Sequence, residues 1–203
     1  DYAFDTCEYN IKEIKRLAKV GFELAMKRSK KLCCIDKANV LETSRLWRQT
    51  VQSLEKNYPE VSVSYEFVDA VAMRLIYSPS YYDVLITSNL FGDILTDEAS
   101  VISGSIGLMP SASVGIETSI YEPIHGSFPQ AKGKNIANPL ATILSASMMF
   151  ERSFNLYDES KLIRDLVNDS ILNNIVTEDL SAGGKSYGTN EIGDWIVDKI
   201  ERG

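Results

Sequence analysis

Ile11, Ile14, Leu17, Ala18, Gly21, Phe22 and Ala25 recur at intervals of three and four, so residues 10–30 are expected to form one amphipathic helix. The run LCCI at 32–35 has the length and composition of a buried strand. Residues 41–57 return to helical spacing, after which Val61, Val63, Tyr65 and Phe67 alternate as in a half-exposed strand. A short helix around 70–77 should stop at Ser78-Pro79, because the residue before a proline resists the helical conformation. DVLIT at 83–87 reads as a second buried strand, followed by a helix from about 91 to 103.

Strands alternating with helices imply an α/β sandwich in which helices pack on a sheet. Between Gly104 and Gly133 the texture changes: glycine, serine and proline dominate and long helical patterns vanish. Such a stretch inside a compact domain is commonly a functional loop region. Three further helices are expected: 139–153 with Pro139 in its first turn, 159–173 and 190–202. The break near Gly104 divides the chain into residues 1–103 and 104–203, with no internal repeat and no low-complexity tail.

Composition narrows the function classes. The chain has 203 residues, 44% of them hydrophobic, with a formal net charge of −7, which argues against generic nucleic-acid binding. Lys27, Arg28, Lys30 and Lys31 cluster near the end of the first helix, where cations would complement the helix dipole. No apolar run is long enough for a membrane span, and DYAFDTCEYN has no signal-peptide core. Without an initiator Met, and starting mid-pattern, the sequence reads as a truncated one. Of the three cysteines, Cys7, Cys33 and Cys34, the adjacent pair should point to opposite faces of a strand. That suits buried thiols in a reducing, cytoplasmic setting better than a disulfide or metal site.

The candidate chemistry lies just beyond the strands. In NLFGDILTDEAS, Asp93 and Asp97 are four residues apart, which on a helix puts both carboxylates on one face with Cβ atoms roughly 6 Å apart. Paired oxygen ligands of this kind suit Mg²⁺ or Mn²⁺, although an arbitrary pair at this spacing is more often a solvated face. Two features favour the ligand reading. The pair follows an apolar strand, at the end where α/β proteins place ligands, and a third acid, Asp69, also follows a strand. Lys37 sits past LCCI and could shuttle protons if its pKa were tuned. Spacing alone favours a surface lysine paired with Asp36 or Glu42.

DKANVLETSRLWR at 36–48, VDAVAM at 68–73, SNLFGDILTDEAS at 88–100, GSIGLMPSAS at 104–113 and YEPIHGSFPQAKGKNIANPLATILSA at 121–146 occur in order along the chain. With these segments it resembles the isocitrate/isopropylmalate family of β-decarboxylating dehydrogenases, on the isopropylmalate side. The resemblance implies the C-terminal portion of an isopropylmalate-dehydrogenase-like three-layer α/β sandwich. Residues 1–103 would be an incomplete small domain for dimerisation, metal and substrate, and 104–203 part of the cofactor domain. The implied reaction is oxidation and decarboxylation of 3-isopropylmalate to 4-methyl-2-oxopentanoate, in leucine biosynthesis, with NAD and Mg²⁺ or Mn²⁺.

Residue by residue, Lys37 corresponds to the family's acid/base lysine, and Asp69, Asp93 and Asp97 to its metal-binding acids. Asn39 and Val40 resemble positions near substrate and nicotinamide, and Asp69 also lies on the substrate side. Lys37 and Asp69 would reach into the partner's site in a homodimer, with the 10–30 and 91–103 helices supplying the apolar stripes of its interface. Glu122, His125, Gly126, Ser127 and Asn138 match the cofactor loop, which needs no G-x-G-x-x-G, and Gln130 occupies a further cofactor-side position in it. His125, the chain's single histidine, is expected on the adenosine side.

Three positions depart from the family pattern. Gln130 replaces an aspartate that grips the ribose hydroxyls, Phe128 is bulkier than usual, and Ala70 replaces an asparagine after the metal aspartate. The family's substrate-gripping arginines and catalytic tyrosine would precede residue 1, so the piece alone is expected to be inactive. Tyr9 is expected to pack rather than to catalyse. Competing readings are a sister enzyme for isocitrate, homoisocitrate or tartrate, and a non-catalytic subunit of the same fold.

Overall fold

The computed structural model describes residues 1–202. The chain forms two compact units, Asp1–Ala99 and the part from Ser100 onward. The first is built on a parallel sheet of β1 (Lys31–Asp36), β2 (Ser62–Phe67) and β3 (Val84–Ile86), in the order β2-β1-β3. Helices α1 (Ile11–Met26) and α2 (Glu42–Glu55) cover one face, where Ile14, Phe22, Trp47 and Val51 pack with Leu32 and Cys34. Helix α3 (Val68–Tyr77) and the first part of α4 (Asn89–Ser103) cover the other, where Val71, Leu75 and Leu95 pack with Cys33 and Ile35. The unit is therefore the expected three-layer α/β sandwich.

The pleat of β1 sends its two neighbouring thiols into opposite cores, as the sequence implied. Burial pushes the Cys33 thiol up to about 11 and raises that of Cys34 as well, so both are inert packing groups, while Cys7 is exposed. Gly21 allows α1 to lie against the sheet, because a Cβ there would sit 2.4 Å from the Ile86 side chain.

Helix α1 starts at a capping box: Asn10 Oδ1 accepts from the Lys12 and Glu13 amides, and Glu13 Oε2 accepts from the Asn10 amide. It ends four residues sooner than the periodicity suggested, with Lys30 in the left-handed region at φ 59°. The basic cluster begins at the C-cap, Lys27, and no basic side chain lies in the last turn itself. Arg28 Nε donates to Asp83 Oδ1 at 2.6 Å, and Lys30 pairs with Glu60.

The second unit packs α5 (Leu140–Ser153), α6 (Tyr157–Leu172) and α7 (Thr189–Arg202) around Leu140, Leu166, Val167, Ile192 and Ile196. Pro139 stands at the cap of α5 rather than within it. The stretch read as loop contains an antiparallel hairpin, β4 (Pro110–Val114) with β5 (Ser119–Pro123), which lies against α5. Pro-Ser-Ala-Ser in β4 has poor strand propensity, and here pairing and packing override it. No helix among the described residues is long and apolar enough to cross a membrane.

Candidate active site

Two parallel neighbours, β1 and β2, end in register at Asp36 and Phe67, so the residues that follow emerge side by side. Lys37 follows β1, and Asp69 lies in the first turn of α3, directly after β2. The Lys37 ammonium forms an ion pair with Asp69 Oδ1, and neither Asp36 nor Glu42 is its partner. Asp36 is taken by Arg48 and Glu42 by Arg45. The Lys37 side chain is 27% exposed and that of Asp69 64%, so the pair opens to solvent. The hydrogen bond from Lys37 holds the Asp69 carboxyl below the usual carboxylate range.

Asn39 and Val40 are exposed in the short loop between β1 and α2. That loop closes on itself: the amides of Val40 and Leu41 both donate to the Lys37 carbonyl at 2.9 Å. Arg45 Nε also holds the Ala38 carbonyl at 2.8 Å. Tyr9 packs edge-on against Trp47 at 5.4 Å and accepts from the Asn89 amide, in keeping with a packing role.

Asp93 and Asp97 lie exposed on α4, with the buried Leu95 between them facing the core. Asn89 Nδ2 donates to Asp93 Oδ2 at 3.1 Å. Their carboxylate oxygens are the right donors for a hard divalent cation. Among the described residues no three His, Cys, Asp or Glu side chains converge as a metal set. One chain thus presents the pair on α4 and Asp69 separately, without a closed cage.

The second unit presents its candidate residues differently. Glu122 ends up exposed on β5, and Gly126, Ser127 and Gln130 are exposed beyond it, with Gln130 in the single turn Pro129–Ala131. His125 Nδ1 contacts the next residue's carbonyl at 3.0 Å. A Cβ at Gly126 would meet nothing within 4 Å, which leaves its backbone open to approach. Phe128 is exposed as well and touches none of these side chains through a ring contact.

Asn138 is the one member locked in place. Its Oδ1 accepts the Leu140 amide and its Nδ2 donates to Asp179 Oδ2, each at 3.0 Å. Asp179 also accepts from Ser105 and Thr177. Burial works to raise this carboxyl, yet the three donors outweigh it and hold it below the ordinary range. Gly107 is required beneath this junction, because a Cβ there would lie 2.7 Å from Asn138 Cβ.

Sequence reasoning missed Asp36, Ser44, Arg48 and Asp179. A signal existed for the first: a carboxylate ending an otherwise apolar strand must find a buried cation. Asp179 follows a helix, in no motif, and nothing local marks it.

The family model described as isocitrate/isopropylmalate dehydrogenase matches residues 1–196. The 3-isopropylmalate dehydrogenase of Bacteroides fragilis (strain YCH46) is 56% identical over 203 residues, covering 100% of this chain and 57% of the relative. That of Clostridium acetobutylicum is 50% identical over 200 residues, covering 98% and 56%. The chain therefore spans little more than half the length of these curated relatives. Among solved structures, isocitrate dehydrogenase from Methylococcus capsulatus superposes with a TM-score of 0.87 at 32% identity, covering 96% of this chain and 58% of the other. A β-decarboxylating dehydrogenase from Thermococcus kodakarensis gives 0.86 at 33%, covering 99% and 58%. Sequence, strand-end chemistry and fold agree, and the chain belongs to the isocitrate/isopropylmalate dehydrogenase family.

Proposed function

We propose that this chain supplies part of an NAD-dependent dehydrogenase that oxidises and decarboxylates 3-isopropylmalate to 4-methyl-2-oxopentanoate, a step of leucine biosynthesis. The observation that carries this reading is the Lys37–Asp69 pair at the ends of two adjacent parallel strands. Catalytic groups in open α/β sheets occupy that edge. The names of the curated relatives support that substrate.

Lys37 is the acid/base group, taking or giving a proton at the substrate hydroxyl and at the carbon left by CO₂. Asp69 fixes the ammonium, and Asn39 and Val40 line the substrate side of the same loop. Asp93 and Asp97, with Asp69 from a second copy, would hold Mg²⁺ or Mn²⁺. Their hard oxygen donors fit such an ion, and two copies supply the ligand that one chain does not bring. When bound, the ion supplies Lewis acidity toward the ketone and its enolate.

Glu122, His125, Gly126, Ser127, Gln130 and Asn138 form the NAD side. Gln130 offers neither an acid to repel a 2′-phosphate nor a bidentate ribose grip. The homodimer would bury the exposed apolar residues Leu90, Ile94, Val101 and Ile102 of α4. The deciding assay uses the protein at the length of its relatives, with NAD, Mn²⁺ and each candidate acid. NADH formation from 3-isopropylmalate supports the reading. Greater turnover of isocitrate, homoisocitrate or tartrate, or none of any acid, rejects it.

A further inference from the structure

Asp36 is the last residue of β1 and is 1% exposed, yet it carries a carboxyl group. Arg48 Nε and Nη2, from α2, donate to its two carboxylate oxygens at 2.7 and 3.0 Å. Its Oδ1 also accepts the Ala38 amide at 2.9 Å. One carboxylate therefore holds the backbone on both sides of Lys37, covalently before it and by a hydrogen bond after it. The Lys37 amide itself donates to Ser44 Oγ, also on α2, at 3.0 Å. Lys37 has almost no freedom left in its backbone.

The same arginine reaches the strand that delivers Asp69. Its guanidinium lies 5.2 Å from the Phe67 ring and 5.6 Å from that of Tyr65, both on β2. Phe67 is also 5.9 Å from Lys37 Nζ. Arg48 thus links the two strand ends whose side chains meet as Lys37–Asp69. Stability alone is a poor account of this arrangement, since a buried ion pair can often be replaced by apolar side chains without loss. What apolar replacements cannot copy is the fork that fixes two oxygens and stacks on a ring at once.

We propose that Asp36, Ser44 and Arg48 are positioning residues that hold Lys37 against Asp69 in its working geometry. Their place in the reaction rests on the function proposed above; their hold on the lysine does not. Two measurements on the protein at the length of its relatives test this. The first is amine labelling read by mass spectrometry, with Lys30 and Lys132 as internal controls. In Arg48→Lys, labelling of Lys37 should rise several-fold while the controls stay constant; unchanged labelling in a folded variant overturns the proposal. If Arg48→Lys does not fold, Asp36→Leu with Arg48→Met removes both charges at similar volume, with the same expected rise.

The second measurement is turnover. Arg48→Lys should lower kcat about 100-fold, as small misplacements of a reacting group do, with little change in substrate KM. In a Lys37→Met background the same substitution should cost nothing further. An equal loss in both backgrounds overturns the proposal. A wild-type protein that oxidises no acid rejects the functional reading, while the labelling result still decides the positioning role.

Discussion

The strand ends of the first unit and the β5–α5 stretch of the second are both candidate binding regions, but they are built in opposite ways. At the strand ends side chains hold side chains: Lys37 pairs with Asp69, and Asp36 with Arg48. Between Glu122 and Asn138 most candidate side chains are exposed, and what is held is backbone. The Asn135 carbonyl accepts the Thr189 amide, for example, and the Asn138 side chain is spent on Leu140 and Asp179. The first arrangement suits proton transfer, which needs a particular atom in place. The second suits recognition of an extended ligand by main-chain groups.

The largest effect should expose that contrast. In the protein at the length of its relatives, Lys37→Met should lower kcat by about 100- to 10,000-fold, the range of acid/base groups. His125→Ala, Ser127→Ala and Glu122→Ala should each leave kcat nearly unchanged and raise the KM for NAD by about 2- to 12-fold, the worth of one modest hydrogen bond. Steady-state kinetics with NAD varied would check both. A kcat collapse in the loop variants would erase the distinction drawn here.

A smaller effect should separate the regions by metal. Manganese at about 100 times its dissociation constant should add about 2.7 kcal/mol to stability. Asp93→Asn should abolish that increment and Asp179→Asn should keep it, as read from melting curves with and without Mn²⁺. Retention of the increment in Asp93→Asn would remove α4 from the metal reading.

The same contrast explains what was legible in the sequence. Ile14 to Ala25, LCCI and DVLIT write their periods in apolar residues, so the sandwich and the opposed faces of Cys33 and Cys34 followed directly. Lys37, Asp69, Asp93 and Asp97 were visible as polar residues at the ends of apolar strands. The partnership of Lys37 with Asp69, 32 positions away, depends on β1 and β2 being neighbours in register, which no local pattern states. Hairpin β4–β5 was hidden because the Pro-Ser-Ala-Ser of β4 carries little strand signal, which left the Ile-Tyr of β5 without an evident partner. The end of α1 was misplaced because Lys27 to Lys30 keep helical composition past the point where the backbone turns left-handed.

Asp179 gives the smallest effect and tests how the second region works. Its carboxyl lies below the ordinary range because Ser105, Thr177 and Asn138 together outweigh burial. A depressed folded-state value means stability that is present above the unfolded carboxylate value, near 3.9, and lost as pH falls through the lower folded one. Asp179→Asn should therefore cost about 1 kcal/mol at neutral pH, at the low end for several hydrogen bonds because one side of the group meets water. The variant should also flatten the acid limb of the stability curve below about pH 4. If Asn138, whose side chain Asp179 holds, keeps the loop in shape for NAD, NAD affinity should fall with this substitution while kcat at saturating NAD holds. Asp69 is also depressed, through Lys37, so Asp69→Asn should alter kcat instead, and equal kinetic signatures in the two variants would show that both regions work through side chains.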